Sequence, residues 1–291
     1  MPAAALTKAS SFPQGESPAA RAWLRFVRNY ASWCGVFLVG GFVLIGLGAD
    51  IIAPYGPNDA DTEVSAPPTS AHWLGTDGQR KDVASRVMFG SRLSLLAGVI
   101  SITLAIIVGT PLGLLAGYFG GWVDALLMRS IDVALAFPSV LIALLVAAAI
   151  QPGWGTVVIA VGLINVPIFA RQVRASVLTV IHQEYVLASR AMGGTTWHIL
   201  TRAILPALIS PVIVLASLSI GTAILEVAGL AFLGLVGDPT VPEWGCMLGE
   251  AREYWRQNIW YAFGPGIAIS LAVLGFNLLG DGLRDALDPR T

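Results

Sequence analysis

The stretch from Leu93 to Tyr118 decides the fold class, and it reads LSLLAGVISITLAIIVGTPLGLLAGY, without a charged residue. A helix needs about 20 consecutive apolar residues to cross the hydrocarbon core of a bilayer. This run is longer than that requirement. The stretch therefore predicts a helix that crosses a membrane.

The same stretch carries a small residue at every fourth position, and these residues share one face of the predicted helix. Such a ridge lets another helix backbone approach closely inside a membrane. We interpret the ridge as packing within this chain, or as a packing face that slides during a conformational cycle, and the two interpretations are compatible. The ridge consists of Ala97, Ser101, Ala105, Gly109, Gly113, Gly117 and Gly121.

Further apolar stretches lie on both sides of this one. Their apolar runs are continuous and do not alternate with polar residues, which favours helices over barrel strands. We therefore predict an all-α, polytopic membrane protein with six transmembrane helices. The predicted spans are Trp33–Ala53, Leu93–Tyr118, Ile131–Ile150, Thr156–Ala170, Ala207–Val236 and Ile259–Gly280.

The composition agrees with this class. Hydrophobic residues make up 55% of the 291 residues, and charged residues make up 12%, about half of the usual share. So few charges cannot cover the surface of a soluble fold of this size. The composition excludes an ordinary soluble enzyme, a nucleic-acid binder and a disordered chain. Membrane lipid is thus an expected partner, and nucleic acid is not.

Basic residues predict the orientation. Arg21, Arg25 and Arg28 directly precede the first span, which places the N-terminus in the cytoplasm. The acidic residues concentrate in segments that are then external. The predicted organisation is a disordered cytoplasmic N-terminus (1–24), a first transmembrane helix (25–53), an external segment (54–92) and a five-helix core (93–291), which contains a cytoplasmic segment (182–205) and an external segment (237–258).

Few ionisable groups lie at membrane depth. Glu226 sits inside the fifth predicted span, where a charge costs roughly 2.5–3.5 kcal/mol by insertion scales, so its carboxylate should face protein or water. It lines a substrate path or pairs with a group on a partner chain. Asn165 and Asn277 are the other candidates for such a path. Asp132 follows Arg129 by three residues, and we interpret the two as an ion pair at helical spacing.

The sequence offers no energy source of its own. A phosphate-binding P-loop needs Lys followed by Ser or Thr, whereas Lys8 precedes Ala9 and Lys81 precedes Asp82. The histidines lack metal-ligand spacing, and no nucleophile elbow occurs. We therefore predict no catalytic residues, no metal site and no enzyme activity for the chain itself.

The predicted cytoplasmic segment reads as two short helices. The first, Glu184–Met192, stops at Gly193, which suits a left-handed C-terminal cap. Thr195 or Thr196 can cap a second helix over residues 197–203, and the fifth span follows. Small residues on the first helix and apolar residues on the second predict a surface that docks into a groove on a soluble partner.

This segment resembles the cytoplasmic loop of the permease subunits of binding-protein-dependent ABC importers. That loop reads Glu-Ala-Ala, three residues, Gly, nine residues and Ile-x-Leu-Pro. Here the matching residues are Leu187-Ala188-Ser189, Gly193 and Ala203-Ile204-Leu205-Pro206 at the same spacing, and Leu187 replaces the acidic residue. The resemblance implies that this segment couples the chain to ATPases through Glu184, Leu187, Ala188, Ser189, Ala191, Gly193, Trp197, Leu205 and Pro206.

Within this family the chain looks most like the C-type subunit of oligopeptide and dipeptide importers. Three motifs carry this likeness: His72-Trp73-Leu74-Gly75-Thr76-Asp77, Pro242-Glu243-Trp244-Gly245 and the run from Asn277 to Pro289. The resemblance implies the fold of a type I ABC importer permease. It also implies external docking of a binding protein, for which the candidates are Asp77, Arg80, Glu243, Trp244 and Glu250.

The resemblance further implies the partners and the place of the chain. They are a second homologous permease subunit, two ATP-binding subunits that hold ATP and Mg, and an extracellular solute-binding protein, all at the bacterial inner membrane. No cofactor is expected in this chain. The same architecture serves nickel, glutathione and other small solutes, which remain alternatives. A self-sufficient channel or secondary carrier, and a membrane enzyme or scaffold, are the competing hypotheses.

Overall fold

The computed structural model describes residues 18–60 and 63–287, and within them the chain forms helices and turns. Extended pairing in this part of the chain is limited to two isolated bridges, Ala60 with Lys81 and Thr76 with Asp82. The predicted all-α class is confirmed. The helices are α1 (Pro18–Arg28), α2 (Tyr30–Ile52), α3 (Val83–Phe119), α4 (Gly121–Ala136), α5 (Ser139–Ile150), α6 (Trp154–Val180), α7 (Glu184–Ala191), α8 (Thr196–His198), a π-helical turn (Ile199–Ile204), α9 (Leu205–Phe232), α10 (Trp244–Ala251) and α11 (Trp260–Leu287).

Five of these helices are long and apolar enough to cross a membrane, and the number rises to six if α4 and α5 form one bent span. They are α2, α3, α6, α11 and the continuous helix from Thr196 to Phe232. The chain is therefore a multi-pass membrane protein.

The third predicted span, Ile131–Ile150, is wrong as one straight helix. The axes of α4 and α5 differ by 93°, and the break lies at Phe137, whose backbone is extended (φ −87°, ψ 138°). Pro138 causes the break, because a proline disfavours helical geometry in the residue before it. At 1.5 Å per residue, the 12 residues of α5 extend only about 18 Å, which is less than the thickness of a bilayer core.

The N-terminal boundaries also need correction. Residues 18–24 were expected to be disordered, but they belong to α1, while residues 1–17 lie outside the described part of the chain. The predicted helix over 25–53 is interrupted at Asn29, which has an extended backbone. The Asn29 side chain accepts a hydrogen bond from the Ala31 amide at 2.9 Å and so caps α2. The basic residues of α1 recur every three or four positions, at 21, 25 and 28, and this spacing of one helical face suits a short amphipathic helix.

The helix that carries the second predicted span begins ten residues before that span. It starts at Val83, whereas the predicted span starts at Leu93. Asp82 fixes this start, because its carboxylate accepts a hydrogen bond from the Ser85 amide at 2.7 Å and satisfies an otherwise free donor of the first turn. Residues 83–92 of the predicted external segment 54–92 are therefore helical and continuous with the span.

Most of the ridge of small residues packs against α6 within this chain, as one of its two interpretations predicted, whereas Gly121 belongs to α4, where a Cβ atom would meet nothing within 4 Å. Helices α3 and α6 run parallel, since Ser101 donates to the Val158 carbonyl at 2.8 Å and Gly117 lies beside Val177. A side chain on Gly109 would place its Cβ 2.8 Å from the carbonyl oxygen of Val166. The glycines therefore allow backbone contact, which supplies most of the van der Waals attraction between helices in lipid.

The two ends of this helix bundle carry different structures. One end, which we call the α10 end, holds residues 54–60 and 63–82, α10 and the turn after α5, where the Gly153 amide donates to the Leu235 carbonyl at 3.1 Å. The opposite end, the α7 end, holds α7, α8 and the π-helical turn. The predicted orientation puts the α7 end in the cytoplasm.

Candidate functional site

The predicted coupling segment, residues 182–205, is built on one buried anchor. Val186 of α7 is fully buried. It belongs to an apolar cluster with Val173 and Val177 of α6 and with Ile199 and Ile204 of the π-helical turn. This helix of eight residues is too short to be stable alone, so the packing of Val186 onto two long helices holds it in place.

The predicted turn after α7 is confirmed. Gly193 has a φ of +80°, and the Gly194 amide donates to the Ser189 carbonyl at 3.0 Å, which is the hydrogen-bond pattern of a Schellman cap. Thr195 then caps α8 by accepting a hydrogen bond from the His198 amide at 3.3 Å. The two short helices are thus held at a fixed angle.

The second short helix is not separate, contrary to the prediction for residues 197–203. It continues through the π-helical turn into α9, and in this turn the Leu205 amide donates to the Leu200 carbonyl. Pro206 explains the wider turn, because its ring would clash with the carbonyl four residues earlier in a regular α-helix. Residues 196–232 therefore form one continuous helix from the α7 end to the α10 end.

The outer surface of the predicted coupling segment is exposed and carries large apolar side chains among polar ones. Trp197 is 75% exposed, and Met192 is 83% exposed. Tyr185 and Met192 were not among the predicted residues, although their helical spacing with Ala188 could have indicated a shared face. An exposed apolar patch of this kind is typical of an interaction surface. Of the predicted residues, Ser189 is half-buried, and the rest are exposed: Glu184, Leu187, Ala188, Ala191, Gly193, Trp197, Leu205 and Pro206.

Two of the three predicted pathway residues lie together. Asn165 of α6 donates a hydrogen bond from Nδ2 to Glu226 Oε2 on α9, over 2.8 Å. Asn277 of α11 is not in this pair. Its side-chain oxygen lies beside Gly221, five residues before Glu226 on α9 and hence about 140° around the helix.

Residue Asp132 pairs across the fold and not with its neighbour Arg129. Its carboxylate lies 2.7 Å from Arg171 of α6. A second pair joins α4 to the same helix, with Arg174 Nη2 donating to Asp124 over 2.6 Å. The two aspartates are about 12 Å apart along α4, whereas their arginine partners are only about 4.5 Å apart along α6. Because the two spacings differ, the axis of α4 is not parallel to that of α6, and α4 crosses it.

The α10 end contains a buried cluster of charged groups. Arg86 and Asp77 are fully buried and form an ion pair. Arg86 also donates to the Pro239 carbonyl at 2.9 Å, and it lies 3.6 Å from Glu250. Buried charges of this kind require a partner, so the cluster joins the loop before α3 to α10 and to the loop before α10.

The predicted docking role is wrong for three of the five candidate residues. The side chains of Asp77, Glu243 and Trp244 are fully buried and cannot contact a docked protein in this structure. Glu243 caps α10 by accepting a hydrogen bond from the Cys246 amide at 3.0 Å, and its burial raises the pKa of its carboxyl group. The Trp244 indole donates to the Val87 carbonyl at 3.0 Å.

The other two docking candidates lie nearer the surface. Arg80 is exposed and has a φ of +67°, which is uncommon for a residue with a side chain. Glu250 is half-buried and accepts hydrogen bonds from Gln79, at 3.3 Å, and from the Tyr261 hydroxyl. Burial raises the pKa of the Glu250 carboxyl group. Docking through these two residues remains a prediction.

A cavity of about 490 Å³ opens beside this cluster. Its wall includes Glu250, Asp238 and Arg252, together with Tyr254 and Phe232. No sequence pattern indicated it, since its residues come from three separate segments. Among the residues that the structure describes, no group of three or more His, Cys, Asp or Glu side chains is placed to hold a metal ion.

Two protein-family descriptions match the chain. Residues 109–291 match the binding-protein-dependent transport system inner membrane component, and residues 17–68 match the N-terminal transmembrane domain of oligopeptide transport permease C. The first match covers more than half of the chain. The chain belongs to this family. As a binding-protein-dependent permease, it is the membrane component of an ABC importer and works with other transporter subunits.

Characterised permeases of this family are similar over nearly their whole length. The dipeptide transport system permease protein of Alkalihalophilus pseudofirmus is 41% identical over 94% of this chain and 90% of its own. The glutathione transport system permease protein of Pectobacterium atrosepticum is 44% identical over 92% and 90%. The di/tripeptide transport system permease protein of Pseudomonas aeruginosa is 40% identical over 94% and 93%.

Proposed function

We propose that this permease forms part of the transmembrane pathway of an ATP-driven importer of dipeptides or oligopeptides. Its partners are a second homologous permease subunit, two ATP-binding subunits that hold ATP and Mg, and an extracellular solute-binding protein. In this proposal it resides in a bacterial inner membrane with its N-terminus in the cytoplasm. The α7 end then faces the ATP-binding subunits, and the α10 end faces the binding protein.

The observation that carries this proposal is the set of exposed large apolar side chains on the predicted coupling segment. Met192 and Trp197 protrude from it, while Val186 fixes it to α6 and to the continuous helix of α8 and α9. A push on this surface by an ATP-binding subunit would therefore move two membrane-crossing helices at once. Such a contact favours one conformation of the pathway over another, which is sufficient for alternating access.

Dipeptides are the first choice of solute, and glutathione is the specific alternative. Relatives named for dipeptide transport and for glutathione transport are 41% and 44% identical to this chain, so identity does not separate the two. Both solutes are short peptides with a free amino group and carboxylates. Nickel and other small solutes are further alternatives.

Reconstitution tests this function. The complete assembly in proteoliposomes should take up labelled dipeptide, or labelled glutathione, only with ATP and the binding protein present. Liposomes that contain this chain alone serve as the control and should take up neither solute. Uptake by the chain alone without ATP would instead establish a self-sufficient channel or carrier.

A further inference from the structure

The hydrogen-bonded pair of Glu226 and Asn165 lies at membrane depth. Glu226 lies six residues before the end of α9, and Asn165 lies eleven residues after the start of α6. At 1.5 Å per residue these positions are about 9 and 16 Å from the α10 end of the helices. The pair therefore sits in the half of the bundle nearest the α10 end, where an unbalanced charge is costly.

The geometry of the pair fixes one carboxylate oxygen and leaves the other available. Asn165 is 2% exposed, and its Nδ2 donates both to the Val161 carbonyl at 3.0 Å and to Glu226 Oε2 at 2.8 Å. Both amide hydrogens are thus used, and the side chain cannot swing away. Glu226 Oε1 accepts no hydrogen bond from the residues that the structure describes, and it is not sealed inside the protein.

The face of α9 that carries Glu226 is open and partly polar. Thr222 lies one turn before Glu226, Gly229 lies about one turn after it, and both are exposed. A Cβ atom on Gly229 would meet no other atom within 4 Å. Open space therefore continues along the helix beside the carboxylate, and a solute has room to approach Oε1.

No arginine or lysine in the described residues forms an ion pair with Glu226, so an ionised Glu226 would draw its counter-charge from outside those residues. The nearest basic residues along α6, Arg171 and Arg174, are paired with aspartates of α4. We propose that Glu226 Oε1, oriented by Asn165, binds the protonated primary amine of the transported solute. This inference rests on the proposed function, and it holds for a dipeptide and for glutathione, because both carry such an amine.

The test compares two peptides in the complete reconstituted assembly at saturating binding protein. The peptides are dialanine, which has a free amine, and N-acetyl-dialanine, which has none. Glu226→Gln keeps the size of the side chain and an acceptor for Asn165 but removes the charge. We expect it to lower the maximal uptake rate of dialanine about tenfold and to leave the uptake of N-acetyl-dialanine and the half-saturating concentration of dialanine unchanged. Thr103→Val on α3 is the control, because Thr103 is exposed and its hydroxyl donates to the Val99 carbonyl of its own helix, and it should leave both peptides unaffected.

A second measurement does not depend on turnover. A dialanine analogue with a free amine and a photoreactive diazirine on its first side chain should label α9 in the unmodified assembly and much less in Glu226→Gln. Equal labelling, or equal uptake of dialanine by both assemblies, would overturn the inference. An equal loss for both peptides, together with poor recovery of the assembly, would instead assign Glu226 to a cation of a partner chain. If the unmodified assembly imports neither dipeptide nor glutathione, the proposed function fails.

Discussion

Replacing Gly109 by Ala should separate α3 from α6. The added Cβ would lie 2.8 Å from Phe169 Cβ, 2.8 Å from the Val166 carbonyl oxygen and 3.1 Å from the Ala170 amide nitrogen. Two of these atoms belong to the backbone and the third is a Cβ, so none can rotate away. The helices must therefore move apart by several tenths of an ångström, which weakens their contacts along the whole ridge.

The expected magnitude follows from two opposing effects. Overpacking of a close contact costs about 1–3 kcal/mol, while Ala in a helix interior gains up to about 1 kcal/mol over Gly. Gly40 of α2 provides the matched control, because a Cβ atom there meets nothing within 4 Å. Gly40→Ala shows only the helix-propensity gain, so Gly109→Ala should be the less stable variant by about 1–3 kcal/mol.

Thermal unfolding of the purified assembly in detergent measures this difference. We expect a lower melting temperature for Gly109→Ala than for Gly40→Ala. The unmodified assembly should lie at or below the control. If Gly109→Ala melts at the same temperature as Gly40→Ala, the close approach of the two helices at this ridge is refuted.

Three further predictions concern the two ends of the bundle. Asp77→Asn removes the nearer of the two carboxylates beside the buried guanidinium of Arg86, since Glu250 lies 3.6 Å away, and should lower the free energy of unfolding by about 3 kcal/mol, as measured by thermal unfolding. Burial raises the pKa of the Cys246 thiol, so the thiol stays protonated as the pH rises. Alkylation of Cys246 by iodoacetamide between pH 7 and 9 should therefore be slow until the assembly is denatured. Rapid alkylation of Cys246 in the native assembly would contradict this. Trp197→Ala should weaken co-purification of the ATP-binding subunits, whereas Trp73→Ala, at the exposed α10 end, should not.

Local sequence patterns were sufficient for most of the fold. Continuous apolar runs identified the long helices because the bilayer requires a minimum length of apolar helix. They failed at Pro138, because hydropathy does not register that a proline breaks the helix before it. The cap at Gly193 was predictable because it depends on residues that are adjacent in sequence.

The candidate site was less predictable, because its decisive contacts join distant residues. Asp132 was assigned to Arg129 by helical spacing, but Arg171 of another helix is its partner. Asp77 was expected to lie exposed in a polar loop, and only the fold brings it to the buried Arg86. Glu226 was expected to face protein or water, because a charge in an apolar helix is costly, and its carboxylate accepts a hydrogen bond from Asn165 of α6.

Coupling through the α7 end is the central claim, and substitution of Gly193 tests it most directly. Its φ of +80° strains any other residue, by about 1–2 kcal/mol, but nothing lies within 4 Å of its Cβ position. Gly193→Trp therefore adds bulk that protrudes from the segment, and Gly193→Ala is the control with the same strain. In the reconstituted assembly, ATP-driven solute uptake should be lost with Trp and largely retained with Ala, while membrane insertion of both variants is normal. Full uptake by Gly193→Trp would contradict the account.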